Sequence, residues 1–555
     1  MDKLRKKAGA FWLQIKSNPK ETLFFAFIYL IFLVNTTYVA YPDEFINILG
    51  GVFLNQGKIP YKEFFDHHLP FAWHLASFIL HFSFGSYIAF RVIFATLIFG
   101  SLTGLALWIR KRNRCLYHYY LVAFLLYPIM AVYFWFHLYL ADSLAVFFFF
   151  LIFWLLITES FDGKPNEKII TIATLLTFCL VFSSLTFVYL ALTLYLWEIY
   201  LLGMDKKKII RAVIWIIAPY ILYLLYICIS GAFNDFYFSN VVYNTNHYIN
   251  LPNYVKGRYF NPLKFGLTLI FNFYSDYLPL LSKIKYLDLY LPIGILGALG
   301  TLSLLIMLVI NYPVLGLLYF FILSFSAPRS SIKTYTESDY QGCLFLVLGV
   351  VSSLCTLYLI RMKKTNNVLF EDLKRAVQAL IVIFLLFSFI FLANNTYNKF
   401  YLRFTQKMYG IYDLSDTGDF LNKALKEGEY YWVGPYEPQE MFFVKKGKLP
   451  GKFPSLLPQF RENEYLKQSF IAQFEVNQPK FIIFKHSSSI FGTPVTEFGA
   501  FFFDWLKNNY LSLEEIKEIE VIKNPVNFNF NSDLYILKSE KEQLLERVKA
   551  AGYIR

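Results

Sequence analysis

The sequence reads as an α-helical polytopic membrane protein, with about eleven transmembrane helices (range 11–13) and a C-terminal extracytoplasmic α/β domain. Three features carry this reading. Only 16% of the 555 residues are charged while 57% are hydrophobic, against about 25% charged in an ordinary soluble chain. The apolar residues come in long runs, and mean hydropathy is +0.44. After about residue 410 the character changes, with charge, Pro, Gly and short apolar strings.

The spans are placed where about 20 mostly apolar residues run together. These runs are 23–40, 84–109, 116–136, 141–158, 169–184, 186–202, 209–229, 288–309, 312–327, 341–360 and 376–393. Residues 1–22 form a basic cytoplasmic N-terminus. The first run is read as a retained span. Its apolar core is long, and Tyr38-Val39-Ala40 is a poor cleavage site. Orientation follows the basic loops: Lys and Arg gather on the cytoplasmic side of a membrane. Met1–Lys7, Arg110–Arg114, Lys206–Lys208 and Arg361–Lys364 all fall on one side under this count.

The stretch 262–282 is apolar but contains Asn272, Asp276 and Pro279. Counting it as a span would turn Arg361–Lys364 outward, so it is read as an interfacial helix pair. The long stretches 41–83, 230–287 and 394–555 then face outside. In the last of these, Tyr430–Val433, Phe481–Phe484 and Leu534–Leu537 are strand-like. They alternate with helical stretches near 417–427, 462–475, 500–510 and 540–550, the pattern of a small α/β domain. The domain boundaries are thus 1–22, 23–393 and 394–555.

Composition also excludes several functions. A net charge of +13 would suggest nucleic acid in a soluble protein. Here the basic residues border apolar runs, so the expected partner is membrane lipid and not nucleic acid. The five cysteines include no Cys-x-x-Cys, and all lie in or beside apolar runs. Structural disulfides and thiolate metal sites are not expected.

The segment after the first span is the richest in chemistry. It reads Tyr41-Pro42-Asp43-Glu44-Phe45, then Gly57-Lys58-Ile59-Pro60-Tyr61, then Asp66-His67-His68-Leu69-Pro70. Asp43 and Glu44 stand where the chain leaves the membrane. Neighbours on a helix point about 100° apart, so the two acids need not share a role. Partial desolvation lifts a carboxylate toward the range useful for taking a proton. A helix cap or an interface marker would explain the same pair equally well. Asp66, His67 and His68 are of metal-ligand type, but no spaced His, Asp or Glu set completes them. No metal or other cofactor is therefore expected.

An Asp-Glu pair after the first span resembles the signature of GT-C glycosyltransferases. The Gly-x-x-Pro-Tyr and His-x-Pro strings, with Phe84-Gly85-Ser86-Tyr87-Ile88-Ala89-Phe90-Arg91 and Asp142 further on, resemble one branch. That branch includes protein O-mannosyltransferases and aminoarabinose transferases. The motifs cover residues 41–142, and the rest of the chain is similar in plan only.

The resemblance implies a transferase that takes sugar from a polyprenyl-phosphate donor. The acceptor is a hydroxyl on a lipid, glycan or protein at the outer face, and the configuration inverts. Asp43 is implied as the general base, with Glu44 orienting. Arg91, Arg258, Arg329, Lys333 and Tyr335 are implied or candidate groups for the donor phosphate. Asp142, His67, His68 and Tyr61 are candidates for acceptor binding or support. Arg91 read alone is equally a snorkelling arginine, and Asp142 equally an N-cap. The expected location is a prokaryotic inner membrane.

A flippase or transporter of lipid-linked sugar is the alternative. So is an O-antigen polymerase or ligase, which would differ in donor. A third reading makes the spans a mere anchor for a partner-binding domain. A transporter would be expected to show internal repeats and mid-span ionisable residues; the sequence suggests neither.

Overall fold

The computed structural model describes residues 18–38, 40–161, 165–203, 205–248, 262–277, 291–328, 340–362, 368–405, 415–516 and 519–555. Its helices in chain order are α1 (Pro19–Asn35), α2 (Pro42–Asn55), α3 (Phe71–Ser83), α4 (Tyr87–Arg112), α5 (Arg114–Tyr133), α6 (Ala141–Phe161) and α7 (Glu167–Ser183). There follow α8 (Val188–Leu202), α9 (Lys206–Ile229), α10 (Pro262–Tyr277), α11 (Leu291–Asn311), α12 (Pro313–Phe325), α13 (Cys343–Met362) and α14 (Val368–Thr405).

Eight helices among the described residues are long and apolar enough to cross a membrane. They are α4, α5, α6, α8 with the short turn before it, α9, α11, α13 and the Glu371–Asn398 part of α14. The chain is therefore a helical polytopic membrane protein. Helices also occupy the other three expected runs, but they are shorter: α1 and α7 have 17 residues each and α12 has 13. In place of an interfacial pair, the described part of 262–282 is one helix of 16 residues. All five cysteines are free thiols.

The described residues fall into two compact bodies. The first takes its described residues from 1–39, 88–219 and 257–411, and the second from 40–87, 220–256 and 412–555.

In the first body, every residue of α6 from Ala141 to Glu159 is buried, as is every residue of α13 from Cys343 to Leu359. A helix apolar on all sides is a central one. By contrast α9 and α14 leave large apolar side chains uncovered, Ile214 at 57% and Leu386 at 57% exposure. Water penalises such faces and lipid does not.

Small residues let α11 and α13 approach closely. A Cβ on Gly349 would lie 2.8 Å from the Gly297 Cα, and Ser353 donates to the Leu296 carbonyl at 3.0 Å. This is packing without a hydrophobic driving force, as membrane helices require. Basic residues near helix ends find acids: Arg110 with Glu21, Arg112 with Glu159 and Arg211 with Glu167.

A buried acid on α8 is held by the neighbouring helix. Glu198 of α8 is fully buried and accepts from Thr174 at 2.7 Å and Thr177 at 2.9 Å, both on α7. Two hydroxyls on the neighbouring helix solvate this carboxyl.

In the second body, α2 and α3 form a helical hairpin. Gly50 and Gly51 face α3 so closely that a Cβ at Gly51 would stand 2.6 Å from the Ser77 backbone nitrogen. Strands form at β1 (Tyr431–Gly434), β2 (Phe481–Phe484), β3 (Ser489–Ile490), β4 (Thr493–Pro494), β5 (Tyr510–Ser512) and β6 (Leu534–Leu537). The main sheet has the order β1-β2-β6-β5, with β1 and β2 parallel and the other pairs antiparallel. β1, β2 and β6 are buried throughout, which explains why they read as unbroken apolar strings.

Helices α15 (Asp416–Ala424), α16 (Pro438–Phe442), α17 (Glu464–Val476), α18 (Ala500–Asn509) and α19 (Lys541–Ala550) surround this sheet in the chain. Trp432, fully buried, centres the core against Phe470, Phe474, Phe484 and Phe502.

Candidate functional site

The chain enters α2 through an extended Tyr41, with Pro42 at the first helical position. Proline suits that position because its missing N–H is not needed there. Asp43 and Glu44 therefore occupy the first turn, where the helix N-terminus favours negative charge.

Their side chains have different partners. Glu44 is fully buried and accepts a 2.6 Å hydrogen bond from the Tyr87 hydroxyl. The Tyr87 ring packs on Phe45 with centroids 4.5 Å apart. Asp43 is partly exposed, and its Oδ1 accepts a 2.7 Å hydrogen bond from the Tyr436 hydroxyl.

Tyr436 reaches Asp43 because β1 ends at Gly434 and the chain turns through Pro435 into α16. Phe442 at the end of α16 and the following Phe443 lie 5.7 and 6.1 Å from Phe45. The C-terminal segment thus grips the first turn of α2 by one hydroxyl and two rings. Beside Tyr436, burial pushes the Glu437 carboxyl up to about 7, opposed by Lys485. Burial also raises Glu440, whose carboxylate accepts from Ser415.

The second cluster follows α2. Gly57 closes that helix in a left-handed conformation, φ +79°. The Gly57 N–H bonds to Leu54 at 2.9 Å and the Lys58 N–H to Phe53 at 3.0 Å. This is the Schellman closure, which favours glycine at that point. Tyr61 is also left-handed and fully buried, and its hydroxyl donates to the His68 carbonyl at 3.0 Å.

Asp66 accepts from both the N–H and the Nδ1 of His68, at 3.0 and 2.7 Å. Asn244 donates to the His67 carbonyl at 3.1 Å. Burial alone would raise the Asp66 carboxyl. The His68 and His67 imidazoles and the His68 hydrogen bonds outweigh it and hold the group below its usual value. Tyr61, Asp66, His67 and His68 are thus brought together.

Arg91 and Asp142 belong to the first body. Arg91 is 2% exposed and donates to the Thr36 and Tyr38 carbonyls just after α1. That geometry does not fit a snorkelling side chain. The adjoining cavity, lined by Arg91, Asn35, Thr36 and His137, has about 20 Å³, room for a water and not for a sugar phosphate. Asp142 is buried inside the first turn of α6, one residue beyond its start, and so is not the N-cap. Arg258, Arg329, Lys333 and Tyr335 lie outside the described residues.

Reading by sequence missed Tyr436, Tyr87 and Asn244. Tyr87 lay inside a quoted motif without a role. The Gly434-Pro435 step after a strand marked a turn near Tyr436, but nothing in the sequence aimed that turn at Asp43. Comparison with protein-family models and with curated proteins gives no match.

Proposed function

We propose that this chain is an integral-membrane glycosyltransferase. It moves a sugar from a polyprenyl-phosphate donor to an acceptor hydroxyl at the outer face, with about eleven spans and an extracytoplasmic C-terminal α/β domain. The observation that carries the reading is the setting of Asp43. It is a partly exposed carboxylate in the first turn of the helix after α1, with one oxygen held by Tyr436. A hydrogen bond that fixes a carboxylate also fixes the direction from which it can take a proton.

The donor's lipid tail keeps its phosphate and sugar at the membrane surface. There the acceptor oxygen attacks the anomeric carbon, and Asp43 takes the hydroxyl proton. The bond from that carbon to the phosphate oxygen breaks, its electron pair leaves with the phosphate, and the configuration inverts. Glu44, tied to Tyr87, orients the turn without touching the reacting atoms. Cations near the phosphate would stabilise the charge it gains; Arg258, Arg329 and Lys333 remain the proposed sources.

The test uses the full chain in lipid nanodiscs with short-chain polyprenyl-phosphate mannose, glucose or aminoarabinose, and measures release of polyprenyl phosphate. Asp43→Asn should reduce release by about 10²–10⁴-fold, the usual worth of general-base help. Near-normal turnover in that variant overturns the assignment. Passage of intact donor across a bilayer without bond cleavage would favour the transporter.

A further inference from the structure

We propose that Asp66, His67 and His68 form a binding site for one divalent transition-metal ion of the zinc type. The site does not depend on the transferase reading. One ligand atom from each residue lies within 4.8 Å of the others. His68 Nδ1 is 2.7 Å and His67 Nδ1 is 3.7 Å from the same Asp66 oxygen. In a tetrahedral site with bonds of about 2.1 Å, ligand atoms stand about 3.4 Å apart. The two observed distances bracket that value, and the two imidazole ligand atoms lie within 4.8 Å of each other.

The backbone under these ligands is held by distant parts of the second body. Phe65 N–H bonds to the Lys452 carbonyl at 2.7 Å, Asn244 holds the His67 carbonyl, and Tyr61 holds the His68 carbonyl. The His67 ring rests against Tyr248, centroids 4.5 Å apart, and Tyr243, 5.6 Å apart. Each ligand therefore starts from a fixed base, which reduces the ordering cost of binding.

The donor set is two imidazole nitrogens and one carboxylate oxygen. That set suits zinc, cobalt or nickel better than magnesium, which prefers oxygen alone. Asp66 is 8% exposed while His67 and His68 are less buried. Three protein ligands with a partly open side leave the fourth position to water or another small oxygen ligand.

The test uses the full chain in detergent, stripped with chelator, then titrated with Zn²⁺ and separately with Co²⁺. Wild type should hold one more equivalent of metal than Asp66→Asn or His68→Gln, with at least about 10–100-fold weaker binding in the variants. Bound Co²⁺ should give visible bands without thiolate charge transfer. Asp66→Asn and His68→Gln also disturb the turn. His67→Gln is the second variant, because it leaves the Asp66–His68 hydrogen bonds in place. Loss of the metal from a His67→Gln chain that elutes and melts like wild type supports the site. Equal metal content and affinity in wild type and all three variants would overturn it. The trio would then be a hydrogen-bonded turn only.

Discussion

Replacing Tyr436 by Phe deletes one hydroxyl and keeps the ring. That hydroxyl donates to Asp43 Oδ1 at 2.7 Å. A hydrogen bond to a charged acceptor contributes about 1.5–3 kcal/mol net. Here it stabilises the ionised form of Asp43 and not the protonated form. Removing it therefore makes Asp43 easier to protonate. At about 1.36 kcal/mol per pH unit, the acid limb of the proposed kcat/KM profile should move upward by about one to two units. A second effect runs with it: Asp43 is no longer held by that hydroxyl, so the plateau rate at high pH should fall as well.

The assay is polyprenyl phosphate release from pH 4 to 9 for wild type and Tyr436→Phe. Melting temperature is followed in parallel. A purely structural role for Tyr436 would lower the melting temperature and the amount of active protein while leaving the acid limb where it was. An unmoved limb with a full plateau would refute the idea that Tyr436 supports Asp43. It would leave the base assignment standing, since that rests on Asp43→Asn.

Two further outcomes concern stability. Gly51→Ala places a methyl 2.6 Å from the Ser77 backbone nitrogen. A neighbour of that kind cannot rotate away, so the variant should lose about 1–3 kcal/mol, read as a lower melting temperature; an unchanged value would mean that α2 and α3 separate freely. Glu437 supplies a pH dependence: its folded carboxyl sits at about 7, above the ordinary 4.5. The folded chain thus binds this proton more tightly than the unfolded chain does. Its contribution is full below pH 4.5 and is lost as pH rises to about 7, at most about 3 kcal/mol across that window. Glu437→Gln should flatten the fall in melting temperature between pH 5 and 7.5, and an identical slope in the variant would refute the burial argument.

The parts of this molecule that sequence made legible are those decided locally. Inside lipid a backbone must satisfy its own hydrogen bonds, so a long apolar run has little choice but to be helical. Helices duly occupy the eleven runs, though 312–327 shortens to Pro313–Phe325 and 376–393 lengthens into Val368–Thr405. The second extends because flanking residues such as Glu371, Leu373 and Lys374 are good helix formers, although their stretch is too charged to stand out by hydropathy. The strands at 481–484 and 534–537 were equally plain, since both faces are buried.

What escaped was decided between distant residues. Asp43 and Tyr436 are 393 positions apart, and no periodicity links them. Glu198 stands in an apolar run, and its neighbours in sequence do not say what receives its charge. Thr174 and Thr177, one turn apart on the preceding helix, were the hint, and they mean something only once α7 and α8 are side by side. The Asp66-His67-His68 trio stood in plain view. Its backbone is held partly by Lys452 and Asn244, far along the chain, which the local sequence does not show. The same holds at Asp43. The residue type was visible in the chain, but the hydroxyl that bonds it belongs to a residue far along the sequence. A variant at Tyr436 therefore tests Asp43 more sharply than any substitution within its own helix.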